Sequence, residues 1–304
     1  MSGRYRARSS ARGAHSGVTL IELVIVIVLT AILSVMMTNF ALPMFAYVDS
    51  ARRAELTDIA DTALRRIGRD LRAALPNSVR VTSVGSVFYL ELLLVRTGGR
   101  YRGDAGSTGG VACPADGSSD PSILVIGAAD TCFKTLGSVQ KFSDILAGSD
   151  FLVVYNLQPG TTNADAYATG AATGGNKSKI TAKSDETTQV RFEIESNTFT
   201  YESPDQRFFV IEGPVTYVCD PTASAKTLTR YSGYAISAIQ PKPPGVTGSL
   251  VANNVSACAF SYDSNVVAQS QGLVTLALGV SLADRAGTQE TVKLYYTVHV
   301  SNVP

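Results

Sequence analysis

The chain predicts an α+β protein, with a long N-terminal helix packed on a largely antiparallel β-sheet head. Three observations point there. An apolar run and then an amphipathic run of helical period follow one another from Val18 to Leu75. Pro76 ends them, and the rest of the chain reads as strands separated by Gly, Ser, Asp and Pro. At about 230 residues the β-rich part is long enough to bury a core of its own.

The first 17 residues carry Arg4, Arg6, Arg8 and Arg12, no acid, and mostly Ser, Gly and Ala otherwise. A basic flank ahead of an apolar run places the N-terminus in the cytoplasm by the positive-inside rule. A secretory signal is cut after its apolar region at an A-x-A-like site, and none stands between Ser34 and Ala46. The pattern points to a cut before the run, which then stays on the mature protein. Val18 to Met37 is about 20 residues, enough to cross a hydrocarbon core. Glu22 is its one charge. A carboxylate in hydrocarbon costs several kcal/mol, so Glu22 marks a functional site by default.

The hexapeptide Gly17-Val18-Thr19-Leu20-Ile21-Glu22 resembles the prepilin signal of type IV pilins and type II secretion pseudopilins. The resemblance implies that Gly17 is the last leader residue and that prepilin peptidase cleaves after it and N-methylates Val18. Glu22 then occupies the fifth mature position, as that family requires. Val18 stands where Phe or Met is commoner, and the leader is longer than many. Cleavage creates an ammonium at Val18, and residues four apart share a helix face. Opposite charges attract far more strongly in low dielectric than in water. The Glu22 carboxylate can meet the amine of its own chain or that of a neighbour. The resemblance implies the second arrangement, which sets axial register during assembly. The bland alternative is a simple anchor whose Glu22 reaches the headgroups.

Beyond the span the pattern stays helical. Leu56, Ala60, Ala63, Leu64, Ile67, Leu71, Ala74 and Leu75 recur at three- and four-residue steps and form one apolar stripe, with charged residues on the other faces. Pro76 is the expected stop, because the residue before a proline is pushed out of helical geometry. From Val18 to Leu75 such a helix is roughly 87 Å long. Pro43 is expected to kink or locally melt it, since it lacks a donor and clashes with the preceding turn. The predicted organisation is a leader over 1–17, a transmembrane and assembly helix over 18–48, an amphipathic continuation over 49–76 and a head over 77–304.

In the head, strands are expected at Val79–Val81 and Val87–Val95 around a Gly85-Ser86 turn. Others are expected at Phe151–Leu157, Val190–Glu195, Phe208–Ile211, Val215–Cys219, Leu228–Ser237, Cys258–Tyr262, Leu273–Leu282 and Thr291–Val300. Two stretches, 98–122 and 158–188, read as loops. The head is either one elaborated domain or a sheet with a substantial insertion. Its four cysteines, Cys113, Cys132, Cys219 and Cys258, suit disulfides in an oxidising compartment. Three pairings exist. Cys113–Cys132, closing the first loop, with Cys219–Cys258, linking two strand regions, is favoured.

A narrower resemblance covers most of the chain. Glu212-Gly213-Pro214-Val215-Thr216-Tyr217-Val218-Cys219-Asp220 and Leu228-Thr229-Arg230-Tyr231-Ser232-Gly233-Tyr234 resemble the sheet region of J- and W-type minor pilins. Ala46-Tyr47-Val48-Asp49-Ser50-Ala51-Arg52-Arg53-Ala54, Leu64-Arg65-Arg66 and Ala74-Leu75-Pro76-Asn77-Ser78 resemble MshO-type components of mannose-sensitive haemagglutinin pili. This implies a minor subunit that helps initiate or cap a fibre. Its implied partners are prepilin peptidase, other minor pilins, the major pilin, the inner-membrane assembly platform and, before assembly, membrane lipid. Pseudopilin membership and a pilin-anchored adhesin are the alternatives.

Enzymatic readings find little support. Gly170-Ala171-Ala172-Thr173-Gly174-Gly175-Asn176-Lys177-Ser178 approximates a P-loop, but Asn176 displaces the lysine and no strand–loop–helix context surrounds it. Leader removal discards His15 and leaves His299, too few for a Ser/His/Asp set or a zinc site without any C-x-x-C pair. No catalytic residue, cofactor or metal is expected. Arg102-Gly103-Asp104 spells an adhesion tripeptide, which a Gly-rich loop yields easily by chance. Losing four arginines from 26 basic residues leaves 22 against 25 acids, a net −3. No basic stripe with interleaved aromatics suggests nucleic acid.

Overall fold

The computed structural model describes residues 17–103, 113, 122–168, 175–222, 226–264, 271–283 and 287–304, with side chains described outside 40–49. The chain forms two compact units, Met1–Arg52 and Arg53–Pro304. The long helix is α1, Leu20–Arg72, whose helical assignment includes Pro43. It ends three residues before the expected stop. Ala73 and Ala74 still donate into the last turn, but Leu75 N–H donates to Leu93 O and Val95 N–H to Ala73 O, both at 2.8 Å. Pairing with a neighbouring strand therefore captures the chain before Pro76 terminates it.

The strands of the second unit form two sheets, and every strand pair is antiparallel. The larger has nine strands: β1 (Arg80–Val84), β2 (Val87–Arg100), β3 (Asp130–Lys134), β4 (Phe151–Val154), β5 (Lys177–Asp185), β6 (Val190–Asn197), β7 (Arg207–Asp220), β8 (Thr227–Ser232) and β9 (Ser249–Ala252). Its order is β1-β2-β7-β4-β5-β6-β3, with β8 beside β7 and β9 beside β8. The smaller sheet is β10 (Val255–Asp263), β11 (Gln271–Ala283) and β12 (Gln289–Ser301).

Several expectations change in register or extent. The β1–β2 hairpin turns at Gly85-Ser86, with Gly85 at φ 59, where a glycine avoids the Cβ clash. Two expected strands at Phe208–Ile211 and Val215–Cys219 are one, β7. A bulge opposite β2 places Leu94 against Gly213 and Val95 against Ile211, leaving Glu212 as the extra residue. Gly213, at φ 136, takes up the irregular backbone. Strand β5 lies inside the expected 158–188 loop. Its buried positions are Ser178 and Ile180, so a polar residue hides the alternation. The expected 98–122 loop begins later, because β2 continues to Arg100; 104–112 and 114–121 lie outside the described residues. Strands β3 and β9, of five and four residues, were too short to register in the pattern.

Arg100 pairs with Arg207, and the residues between them supply β3, β4, β5 and β6 to the same large sheet. With Phe208 of β7 they form a second core containing Phe133, Leu152, Ile180, Phe192 and Phe199. The main core surrounds the helix stripe: Leu56, Ala60, Ala63, Leu64, Ile67 and Leu71 are at most 2% exposed. They cluster with Leu90, Leu92, Val215 and Tyr217 of the large sheet and with Val274, Leu276, Leu278 and Val298 of the small one.

Two further ties join these layers. Asp70 Oδ2 accepts from Tyr217 OH and Arg230 Nε, both at 2.8 Å. Burial and the Asp70 carboxylate push the Tyr217 hydroxyl up, which keeps it a donor. The disulfide Cys219–Cys258 links β7 to β10, and Cys113–Cys132 attaches residue 113 to β3. By chain entropy, a 39-residue separation corresponds to about 4 kcal/mol of stabilisation. Replacing Cys219 and Cys258 together by Ala is expected to lower stability by about 2–4 kcal/mol in chemical denaturation. Cys113–Cys132 closes a shorter loop, with a separation of 19, so replacing that pair should cost less. An equal or smaller loss at Cys219–Cys258 contradicts its role as the link between sheets.

Candidate functional site

The N-terminal segment is built from backbone geometry outward. Gly17, Val18 and Thr19 are non-helical, and α1 begins at Leu20. Thr19 is the N-cap: its carbonyl accepts from Leu23 N–H at 3.1 Å, and its hydroxyl accepts from Glu22 N–H at 3.3 Å. Thr19 and Glu22 thus occupy the two ends of a T-x-x-E capping box. The carboxylate sits in the first turn, where the helix dipole favours negative charge.

This corrects one detail. The spacing places Val18 and Glu22 on one helix face, but with the leader attached the helix starts after Val18. Thr19 takes the cap because its hydroxyl satisfies an otherwise orphaned N–H, which Val18 cannot do. Nothing lies within 4 Å of a Cβ built on Gly17, so the residue is not required there by crowding.

From Leu20 to Asn39 the helix is long and apolar enough to cross a membrane, about 30 Å at 1.5 Å per residue. Its large apolar side chains are bare, from 45% exposed at Val24 to 83% at Leu20. Its hydroxyls fold back on their own helix. Thr30 donates to Ile27 O at 3.0 Å, Ser34 to Thr30 O at 2.7 Å and Thr38 to Val35 O at 2.9 Å. Such bonds meet the need for internal satisfaction in hydrocarbon, leaving Glu22 as the charged exception.

Residues 12–38 match the family model of the prokaryotic N-terminal methylation motif. No curated protein and no solved structure matches the chain. The match spans the Gly17–Val18 bond and nearly all of the apolar segment, and it supports a type IV pilin-like protein. Such a motif implies processing by prepilin peptidase and assembly with other pilins, and with the apolar helix it is consistent with anchoring in the inner membrane.

The head offers chemistry of a different kind. The near-P-loop has Lys177 and Ser178 on β5, and Lys177 Nζ donates to Ala166 O and Ala168 O at 2.7 and 3.1 Å, so it is held by protein carbonyls. Gly170–Gly174 of that motif, and Asp104 of the adhesion tripeptide, lie outside the described residues. His299 is exposed on β12. Among the described residues no group of three or more His, Cys, Asp or Glu is placed to hold a metal.

A buried ionic cluster had only a faint sequence signal, Glu91 inside the apolar run Phe88–Val95. Glu91 is fully buried, accepts from Arg80 Nε at 2.6 Å and from Tyr234 OH at 2.9 Å, and Tyr234 OH also meets Thr216 Oγ1 at 2.5 Å. Burial pushes the Glu91 carboxyl up, while Arg80 and Tyr234 pull it back down. Arg80 also lies 3.7 Å over the Tyr167 ring and donates to Ser237 O and Ala238 O. Tyr234 continues into the wall of a cleft of about 590 Å³, with Lys177, Glu195, Asn197 and Glu212 among its lining. The contacts of Glu91 and Lys177 are internal, so both residues are structural.

Burial lowers the Lys177 ammonium from 10.5 to about 8. Between those values the unfolded chain holds more protons than the folded one, so stability should rise with pH across that window. A rise of about 1–3 kcal/mol is expected from denaturant midpoints between pH 8 and 10.5. Lys177→Met should flatten this rise. An unchanged slope in that variant contradicts the assignment.

Proposed function

We propose that this protein is a minor pilin, cut between Gly17 and Val18 by prepilin peptidase, N-methylated at Val18 and built into a type IV pilus. The observation that carries this reading is the methylation-motif match over 12–38. It falls on a capped helix start whose first turn holds Glu22, the single charge of a membrane-length segment. The basic leader sets the cytoplasmic end, so the β-rich head lies in the periplasm before assembly. Glu22 neutralises the new amine of a neighbouring subunit in low dielectric. Pro43, within α1, is the proposed point of bending.

The finer assignment, a component of a mannose-sensitive haemagglutinin-like pilus that helps to initiate or cap the fibre, is supported by the resemblance of the helix and sheet segments to MshO-type minor pilins. Residues 101–206 favour a contribution to adhesion, because the core they form with Phe208 and Val210 includes no residue of the helix stripe. Secretion-system membership makes a different prediction: deletion blocks enzyme export and leaves pili intact.

The mass of the membrane-extracted protein tests the processing step. A methylated chain beginning at Val18 is expected, and Gly17→Leu should retain the leader. A normal Val18 terminus in that variant rejects Gly17 as the cleavage determinant. Glu22→Ala should still lose the leader, yet its recovery in sheared fibres should fall by about tenfold, equivalent to 1.4 kcal/mol. Undiminished incorporation would sink the charge-pairing argument.

A further inference from the structure

Among the described residues β12 is the longest edge strand of the head; β10, at the other edge of its sheet, has nine residues and an irregular register between Val255 and Ala257. The β1 edge is closed by Arg80, which donates to Ser237 O and Ala238 O at 2.8 Å each, and by Thr82, which donates to Gln240 Oε1 at 2.8 Å. Strands β3 and β9 are short. Strand β12 has 13 residues, pairs with β11 from Gln289 to Ser301 without a bulge, and among the described residues has no strand on its other side. It contains no proline, so its backbone donors form an unbroken row. Folded proteins seldom leave so long and regular an edge uncovered, because it templates pairing with another chain.

The groups around this edge select a partner. On the helix side, Arg53 Nε meets Glu290 Oε1 at 2.8 Å and Arg72 Nη2 donates to Tyr296 OH at 3.0 Å. The Tyr296 ring packs where a Cβ on Gly68 would stand, 2.7 Å from its nearest carbon. These contacts lay the 53–72 part of α1 along β12. Arg65 is paired with Asp61 at 2.6 Å. On the opposite face of β12 the exposed row includes Lys293, Tyr295 and His299, with Tyr295 74% exposed and no carboxylate. Glu290 and Asp61 match Arg53 and Arg65, which leaves Arg72 on the helix side and Lys293 on the outer face as the excess positive charge beside an added strand.

We propose that the β12 edge, with Lys293 on one face and Arg72 of α1 on the other, binds an extended acid-bearing segment of a partner protein as an added β-strand. Backbone hydrogen bonds supply the affinity and alternating side chains the selectivity, as in other strand additions. The carboxylates meet Lys293 on the outer face and Arg72 on the inner one. Lys293 disfavours pairing with a second copy in the register that sets two lysines opposite each other, and an acidic strand removes that cost. This surface lies in the head and is independent of leader processing.

The test uses the mature full-length protein in nonionic detergent micelles. It is titrated with a labelled, acetylated peptide of alternating Val and Glu, and with the matching Val and Lys peptide, by fluorescence anisotropy. Hydrogen exchange is followed over 289–301. The Val–Glu peptide should bind at least about tenfold more tightly than the Val–Lys peptide, slow exchange over 289–301 and weaken as salt rises. Lys293→Glu combined with Arg72→Gln should lower its affinity by about tenfold or more. Equal affinity for the two peptides, or binding without protection of 289–301, overturns the proposal. Concentration-dependent protection of 289–301 without peptide also overturns it, by showing that a second copy occupies the edge.

Discussion

Between the two sheets of the head lies a single helical stripe, Leu56, Ala60, Ala63, Leu64, Ile67 and Leu71, and each sheet turns apolar residues onto it. The sheets share no strand. The stripe supplies a surface to both, and the sheets also meet directly where the Phe88 ring of β2 lies 6.0 Å from that of Phe260 in β10. The two alanines matter as much as the larger residues. Side chains of that size let backbones approach closely, and packed interiors tolerate few voids. Helix burial at this density costs several kcal/mol when one large side chain is cut back. The disulfide Cys219–Cys258 and the Asp70–Tyr217–Arg230 hydrogen bonds sit at the margin of the same core and fasten layers that it has already brought together.

The same helix carries a second demand at its other end. From Leu20 to Asn39 its large apolar side chains are exposed among the described residues, and its hydroxyls bond back to their own helix. A surface of that kind is stable only in hydrocarbon or against similar helices. The single carboxylate is placed in the first turn by the Thr19 cap, where the partial charge of the helix end favours it. One sequence element therefore has an exposed apolar part long enough to cross a membrane and a later stripe buried in the core of the head. The pilin-like reading rests on the methylation motif at its start.

Much of this was legible in the residues, for identifiable reasons. The stripe from Leu56 to Leu71 repeats at helical spacing, which is the strongest signal a sequence gives for a helix. Strands with an apolar inner face, such as Leu273–Leu282, were equally plain. The failures share a cause. β5 hides because Ser178 fills a buried place, and β7 divides in the sequence because Gly213-Pro214 reads as a turn, whereas the fold uses those residues beside a bulge. Helix α1 stops early because β2 competes for Leu75. At the site, Gly17, Val18 and Glu22 are visible as a motif, whereas the cap at Thr19 came only with the structure, although its T-x-x-E spacing to Glu22 is a signal for it. The Glu91 cluster was nearly invisible, since its partners Arg80, Thr216 and Tyr234 come from three separate segments that only the folded sheet brings together.

The central claim is that one helix spans hydrocarbon in its first part and faces water beside its buried stripe in its later part. Cysteine accessibility in lipid nanodiscs tests it directly, because no cysteine is free in the native chain. Single variants Leu29→Cys and Thr62→Cys are treated with a charged, water-soluble maleimide. Thr62→Cys should label in intact discs, whereas Leu29→Cys should label only after the lipid is dissolved. Equally rapid labelling of both in intact discs would contradict the account.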